Sequence, residues 1–297
     1  MDDNKIPLGV LTPKPKAKLD LPPAPSEERL RLLLANDCID AAQELIEVHE
    51  LPFKIVDGQL VDSLEGTDLW LRKFITEDAD CIEMKLDIVK LSKTEDEVLI
   101  VGATGTGKEL LARALIGNRT GKSVAINCAG LPDNLIESEL FGHVRGAFTG
   151  AESDKQGLMA YAKDGLCFLD EIGELPLSVQ GKLLRAIQDR KIRRVGSNKE
   201  EEISCKIVFA TNKDIRQMTV NGFFRQDLYA RISTFELHVK SLDKRKCDIE
   251  PITLSLHKGK EFFEVHGDKL MNGQLTLQHN VRSLQQYVKR WNVLGRI

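Results

Sequence analysis

This 297-residue chain has no excess of basic residues: 42 Lys and Arg stand against 45 Asp and Glu, a formal net charge of −3. Without an overall basic field, tight non-specific binding to nucleic acid is not the default expectation, although local positive patches remain open. No two of the six cysteines (Cys38, Cys81, Cys128, Cys167, Cys205 and Cys247) form a C-x-x-C pair, and none has a His at metal-ligand spacing. They therefore read as reduced core thiols rather than as a metal site. No apolar run reaches the length of a membrane span, and the N-terminus has no signal-peptide core. These two absences predict a soluble, cytoplasmic protein with no membrane partner. Internal repeats are absent too, and aromatic residues make up only 5% of the chain.

What is present divides into four stretches. Residues 1–25 are proline-rich, without helical or strand period, and predict a disordered or extended tail. Residues 26–75 read as a small N-terminal module of unknown role. A helix opens at Ser26-Glu27-Glu28, and "FKIVDGQLVD" alternates about Asp57-Gly58 as a hairpin does. From about residue 76 the pattern changes to helices alternating with continuous apolar runs. "CIEMKLDIVKLS", "KELLARALIG", "NLIESELF" and "LSVQGKLLRAIQDR" predict helices. "EVLIVG" (97–102), "SVAIN" (123–127), "LCFLD" (166–170) and "KIVFAT" (206–211) predict buried strands. Buried strands separated by helices imply an α/β fold, a parallel sheet covered by helices on both faces. This stretch is assigned to residues 76–240, and residues 241–297 to a small helical subdomain.

"VGATGTGKE" sits at the first strand-to-helix junction. Gly102, Gly105 and Gly107 let backbone N–H groups face a phosphate, the helix start adds partial positive charge, and Lys108 adds a full one. Glu109 stands where the strict P-loop pattern wants Ser or Thr. About sixty residues on, "CFLDE" is an apolar strand ending in two carboxylates. Asp170 suits a Mg²⁺ ion and Glu171 suits polarising an attacking water. Both elements in this order predict hydrolysis of ATP or GTP. A third stretch, "GHVRGAFTGAESD" (142–154), is a glycine-rich loop around one large apolar side chain, Phe148. From the residues alone it is either a mobile finger or a turn that buries its Phe.

Four stretches together resemble the AAA+ ATPase domain of bacterial enhancer-binding proteins, which activate sigma-54 RNA polymerase. They are "GATGTGKELLARALI", "NCAGLPDNLIESELFGHVRGAFTGA", "LCFLDEIGELPLSVQGKLLRAIQDRKIRRVGS" and "VFATNKDIRQMTVNGFFRQDLYARI". In that family Glu follows the P-loop Lys, so Glu109 fits. The resemblance implies an AAA+ P-loop NTPase fold followed by a helical lid. It also implies an ATPase using ATP and Mg²⁺, with Gly102, Ala103, Thr104, Gly105, Thr106, Gly107, Lys108 and Glu109 around the nucleotide. Asp170 would hold Mg²⁺, Glu171 would act on water, and Asn127 would hold Glu171 until ATP is sensed. Thr211 and Asn212 match the sensor beside the γ-phosphate, and Arg282 matches the sensor arginine of the lid. Arg225 and Arg231 match arginines that a neighbouring subunit inserts into the site, which implies a ring, expected to be a hexamer. Gly146, Ala147, Phe148, Thr149, Gly150 and Ala151 match the signature loop that grips the sigma factor.

Two departures accompany the resemblance. The lid region is shortened to "LTLQHNVR", and no DNA-reading helix-turn-helix is visible before the chain stops at "KRWNVLGRI". The expected function is a ring ATPase that remodels the sigma-54 holoenzyme for promoter opening. The alternative keeps the ATPase and gives it another protein client, as in a phage or mobile-element remodelling machine.

Overall fold

A computed structural model describes residues 53–56, 59–62 and 66–297. The proline-rich tail and the helix expected from Ser26 lie outside the described residues. The chain divides into two compact units, Met1–Leu64 and Glu65–Ile297. In the first, β1 (Phe53–Val56) pairs antiparallel with β2 (Gln59–Asp62), and Val56 faces Gln59 across a two-residue connection. That register is the one expected of a hairpin about Asp57-Gly58.

The second unit begins with α1 (Gly66–Lys73) and α2 (Ala79–Leu91). The N-terminal module was expected to run to residue 75, yet α1 packs Leu71, followed by Phe74, into the same apolar cluster as Val98 and Ile100 of the sheet. Five strands build that sheet: β3 (Val98–Gly102), β4 (Ser123–Asn127), β7 (Leu166–Asp170), β10 (Lys206–Thr211) and β11 (Glu236–Val239). Their order is β11-β3-β10-β7-β4, with every neighbouring pair parallel.

Alternate residues of the central strands feed two cores, as the two-residue strand period requires. Leu99, Cys167, Leu169, Ile207 and Phe209 pack on one face against α4 (Asp133–Phe141), α5 (Leu158–Tyr161), α6 (Leu177–Asp189), α7 (Ile215–Val220) and α8 (Gln226–Ile232). Val98, Ile100, Phe168, Val208 and Ala210 pack on the other against α1, α2 and α3 (Lys108–Ala114). The covered parallel sheet is therefore as expected for the central strands. The edges differ. β4 was expected to be buried, but it has a single neighbour and only Ile126 is buried. β11, the opposite edge, is not anticipated from the sequence, because its four residues alternate buried and solvated positions.

Three helices follow: α9 (Ile249–Leu254), α10 (Gly259–Met271) and α11 (Val281–Leu294). They share a separate apolar cluster centred on Leu242, Phe262, Leu284 and Val288. Short as it is, the connection "LTLQHNVR" still delivers α11 to the phosphate loop.

Candidate functional site

The carboxyl ends of parallel strands leave unpaired backbone and short loops around a crevice, the usual ligand position in α/β sheets. Here the crevice is a cavity of about 460 Å³ lined by Thr104–Leu110, Asn127, Asp170, Glu171 and Arg282. They come from four places: the β3–α3 junction, the end of β4, the end of β7 and the start of α11. The phosphate loop links β3 to α3, with Gly105 at φ 78° and Gly107 at φ 104°, conformations that favour glycine. A side chain on Gly107 would also strike the Phe74 ring at 2.9 Å. Lys108 is buried, and its Nζ donates to the carbonyls of Gly102 (2.8 Å) and Ala103 (3.3 Å). Burial lowers its pKa, against the opposing pull of Glu171 and Asp170.

Asn127 and Asp170 end adjacent strands in direct register. Asp170 Oδ1 accepts the Glu171 N–H at 2.9 Å. Glu171 itself has φ 52° and ψ 49°, a left-handed conformation that costs a non-glycine residue about 1–2 kcal/mol. Strain of this size is held only where the surroundings enforce it. Its Oε2 accepts the backbone N–H of Asn212 at 3.1 Å. Asn127, expected to hold Glu171, instead turns its Oδ1 to the Ala129 N–H at 2.8 Å. The group that holds Glu171 in this structure is thus the Asn212 amide. Asn212 also bonds Thr104 Oγ1 through Nδ2 at 3.0 Å, so one residue links the acidic strand end to the phosphate loop. Its neighbour Thr211 is fully buried and accepts the Lys213 N–H, away from the cavity wall.

Glu109, on the cavity's lining, is exposed and accepts from both Arg113 Nε (2.9 Å) and Nη2 (2.7 Å) at a single oxygen, Oε1. With Glu109 held by Arg113, Asp170 and Glu171 are the cavity carboxylates left to a Mg²⁺ ion. Such a set fits Mg²⁺, which takes one or two carboxylates plus phosphate oxygens and water.

Arg225 and Arg231 lie outside this cavity. Arg225 is exposed and pairs with Asp227 at 2.6 Å. Arg231 reaches Glu97 at 3.0 Å, just before β3 and at the opposite end of that strand from the phosphate loop. Neither arginine serves the site of its own chain.

The signature loop leaves α4 at Gly142 (φ 81°) and returns through a two-residue antiparallel pair, β5 (Gly142–His143) with β6 (Lys155–Gln156). Phe148 is half-buried, its ring 5.0 Å from that of His143 in an edge-to-face contact. His143 Nδ1 is in turn 2.7 Å from Ser138 Oγ on α4. A second hairpin, β8 (Lys191–Arg193) with β9 (Glu200–Glu202), supports the loop. Val144 N–H donates to the Val195 carbonyl at 3.0 Å, and Gly196 packs on Ala147. Arg193 and Arg194 pair with Glu200 and Glu201 at 2.6 Å each.

Sequence reasoning missed the back wall of the cavity. Phe74 and Ile75 line it from the α1–α2 connection, and Ile252, Leu256 and Val281 line it from the lid. Arg245 lines it as well, and Asn280 Nδ2 donates to the Thr104 carbonyl at 2.9 Å. Arg245 sits in the run Lys244-Arg245-Lys246, which looks like a solvated basic surface. Only the packing separates it from its neighbours.

Among the described residues no helix is long and apolar enough to cross a membrane. The model of the sigma-54 interaction domain matches residues 74–238. Regulatory protein LuxO of Vibrio cholerae is 41% identical over 219 residues, which cover 70% of this chain and 41% of LuxO. Formate hydrogenlyase transcriptional activator FhlA of Escherichia coli is 34% identical over 270 residues, covering 87% of this chain and 39% of that protein. The chain thus spans well under half the length of these curated relatives. Among solved structures, NtrX from Brucella abortus in complex with ATP superposes with a TM-score of 0.63 at 27% identity, covering 90% of this chain and 59% of NtrX. With more than half of its residues matched by that domain model and the α/β sheet of an AAA+ ATPase, the chain belongs to the sigma-54 interaction domain family.

Proposed function

We propose that this chain is an ATP-hydrolysing AAA+ module that assembles into a ring and remodels sigma-54 RNA polymerase through residues Gly146–Ala151. The observation that carries the reading is the meeting of Lys108, Asp170, Glu171 and Arg282 around one cavity at the carboxyl ends of the strands. In this reading the phosphate-loop N–H groups and Lys108 bind the phosphates of ATP, and Arg282 contacts them from the lid. A Mg²⁺ ion held at Asp170 would neutralise charge developing on the phosphate oxygens. Glu171 orients the attacking water and takes its proton. Its Oε2 accepts the Asn212 N–H, which leaves Oε1 to face the water. Asn212, hydrogen-bonded to both Thr104 and Glu171, would relay the arrival of the γ-phosphate to the catalytic carboxylate.

Arg225 and Arg231 act on the site of the next subunit, since their own cavity is out of reach. An arginine supplied in trans is worth about 10³–10⁵ in rate, so hydrolysis would depend on assembly. Phe148 and Thr149 grip the client. The match to a sigma-54 interaction domain favours that client over another protein.

Glu171→Gln tests the catalytic assignment. It keeps shape and hydrogen bonding but removes the base, so steady-state turnover should fall by about 10²–10⁴-fold while a fluorescent ATP analogue still binds. Unchanged hydrolysis refutes the role.

A further inference from the structure

The cavity has a buried clamp that none of these roles uses. Arg245 and Asp248 form an ion pair at 2.7 Å, their side chains 1% and 0% exposed. Removing two charges from water this completely costs about as much as their attraction returns, unless every remaining donor and acceptor is met. Here they are met by Lys240 just upstream and by two segments distant in sequence. Arg245 Nε donates to the Lys240 carbonyl at 3.1 Å and Nη2 to the Thr106 carbonyl of the phosphate loop at 2.9 Å. Its guanidinium lies 5.1 Å from the centre of the Phe74 ring. Asp248 Oδ2 also accepts Thr76 Oγ1 at 2.8 Å, and Oδ1 accepts the N–H groups of Glu77 at 2.6 Å and Asp78 at 3.3 Å.

The contact with Thr106 has a geometric consequence. The peptide unit between Thr106 and Gly107 is planar and trans, so its carbonyl and the Gly107 N–H point in opposite directions. A guanidinium that holds the Thr106 oxygen on the buried side therefore aims the Gly107 N–H the other way. Gly107 is a phosphate-loop residue of the cavity wall. Asp248, through Thr76 and Glu77, holds the segment that carries Phe74 and Ile75, also on that wall. An apolar pair of similar volume would fill the same space and fold as well. It would not orient the peptide.

We infer that Arg245 and Asp248 are positioning residues: a clamp that fixes the phosphate-loop backbone and the Phe74–Ile75 wall in register and so sets the affinity for ATP. The inference rests on the nucleotide reading proposed above. Arg245→Lys keeps the charge opposite Asp248, but a single ammonium cannot serve Thr106, Lys240 and Asp248 in their present directions. In the full chain this variant should weaken binding of a fluorescent ATP analogue and raise KM by about tenfold or more, with kcat within about threefold and only a modest loss of melting temperature. Thr76→Val, which loosens Asp248 without touching the phosphate loop or the charge, should give a smaller change of the same kind, about threefold. It keeps the test decisive should Arg245→Lys fail to fold. A purely structural pair predicts the opposite split, a lower melting temperature with unchanged ATP affinity in the folded protein, and that result overturns the clamp. Lys108→Ala, assayed alongside, separates the two claims. If it binds ATP as wild type does, the nucleotide site is misassigned and the clamp falls with it. If it abolishes binding while Arg245→Lys stays at wild-type affinity, the clamp alone is overturned.

Discussion

At the scale of single residues, the most telling side chains are charged ones that gave up water. Lys206 is fully buried in the first position of β10, donating to the carbonyls of Thr94 (3.0 Å) and Asp96 (2.8 Å). Burial, helped by nearby Arg119, pulls its pKa from 10.5 down to about 8. Because the folded value lies below the unfolded one, the folded state binds fewer protons between those limits. The penalty for the charged amine is therefore fully present below pH 8 and is relieved as pH rises toward 10.5. The stability of wild type relative to Lys206→Met should improve across that window by up to about 3 kcal/mol, at about 1.4 kcal/mol per pK unit. Parallel melting curves at pH 7.5 and 10 check this, and a pH-independent difference would mean the amine titrates normally. Cys128 shows the same physics with the other sign: burial and the neighbouring Asp170 and Glu171 push its thiol up to about 12. It is an inert thiol beside the acidic strand end; Cys81, Cys128, Cys167 and Cys205 are buried as expected of core thiols, whereas Cys247, also expected in the core, is exposed.

At the scale of elements, the signature loop is a small structure in its own right. Its Phe148 ring rests on His143, a contact worth about 0.5–1.5 kcal/mol, and its backbone leans on the second hairpin. In the proposed reading that is little enough for a client or a nucleotide-driven shift to release it; of the alternatives open in the sequence, the structure itself shows the ring half-buried against its own domain. Phe148→Ala should leave ATP hydrolysis within about twofold and the melting temperature nearly unchanged, yet abolish capture of sigma-54 with a transition-state nucleotide analogue. If it unfolds the protein, the ring is core and the loop is no finger. Gly196→Ala addresses the seat instead. Gly196 has φ 80°, and an added Cβ would lie 2.9 Å from Ala147 Cβ, so the substitution strains the hairpin by about 1–2 kcal/mol and displaces the loop. Client capture should fall while ATP affinity holds, in the same pull-down.

Element identity followed from periodicity where burial was complete. β7 and β10 are continuous apolar runs because neighbours flank them on both sides, and α6 shows its buried face at Val179, Leu183 and Ile187. Reading failed at the sheet edges. β4 has the apolar look of a central strand but not the burial, and β11 is too short and too solvated to announce itself. An edge strand loses one neighbour, and with it the pressure for a continuous apolar run.

At the scale of the molecule, the two arginines proposed to act in trans test the ring. Arg225→Ala removes only an exposed pair with Asp227, so the subunit should fold, bind ATP and hydrolyse it at least 10³-fold more slowly. Mixing it with Lys108→Ala subunits should restore part of the activity, because each variant supplies what the other lacks. No recovery at any ratio argues against trans action. Arg231→Ala should also reduce stability, since it takes one of two cations from the buried Glu97, leaving Arg190 at 3.2 Å.

The chemistry of this protein was written in contiguous sequence: a glycine-rich turn with Lys108, a strand ending in Asp170-Glu171, and a loop built around Phe148. Local patterns of that kind survive in one dimension because the backbone geometry they need is made by neighbouring residues. The partners of those groups were decided only by the tertiary structure. Glu171 rests on the Asn212 amide rather than on Asn127, and Arg245 reaches the Thr106 carbonyl from 139 residues away. A long-range hydrogen bond leaves no period or spacing in the chain, and whether a charged residue is solvated or fully buried depends on what the fold places over it.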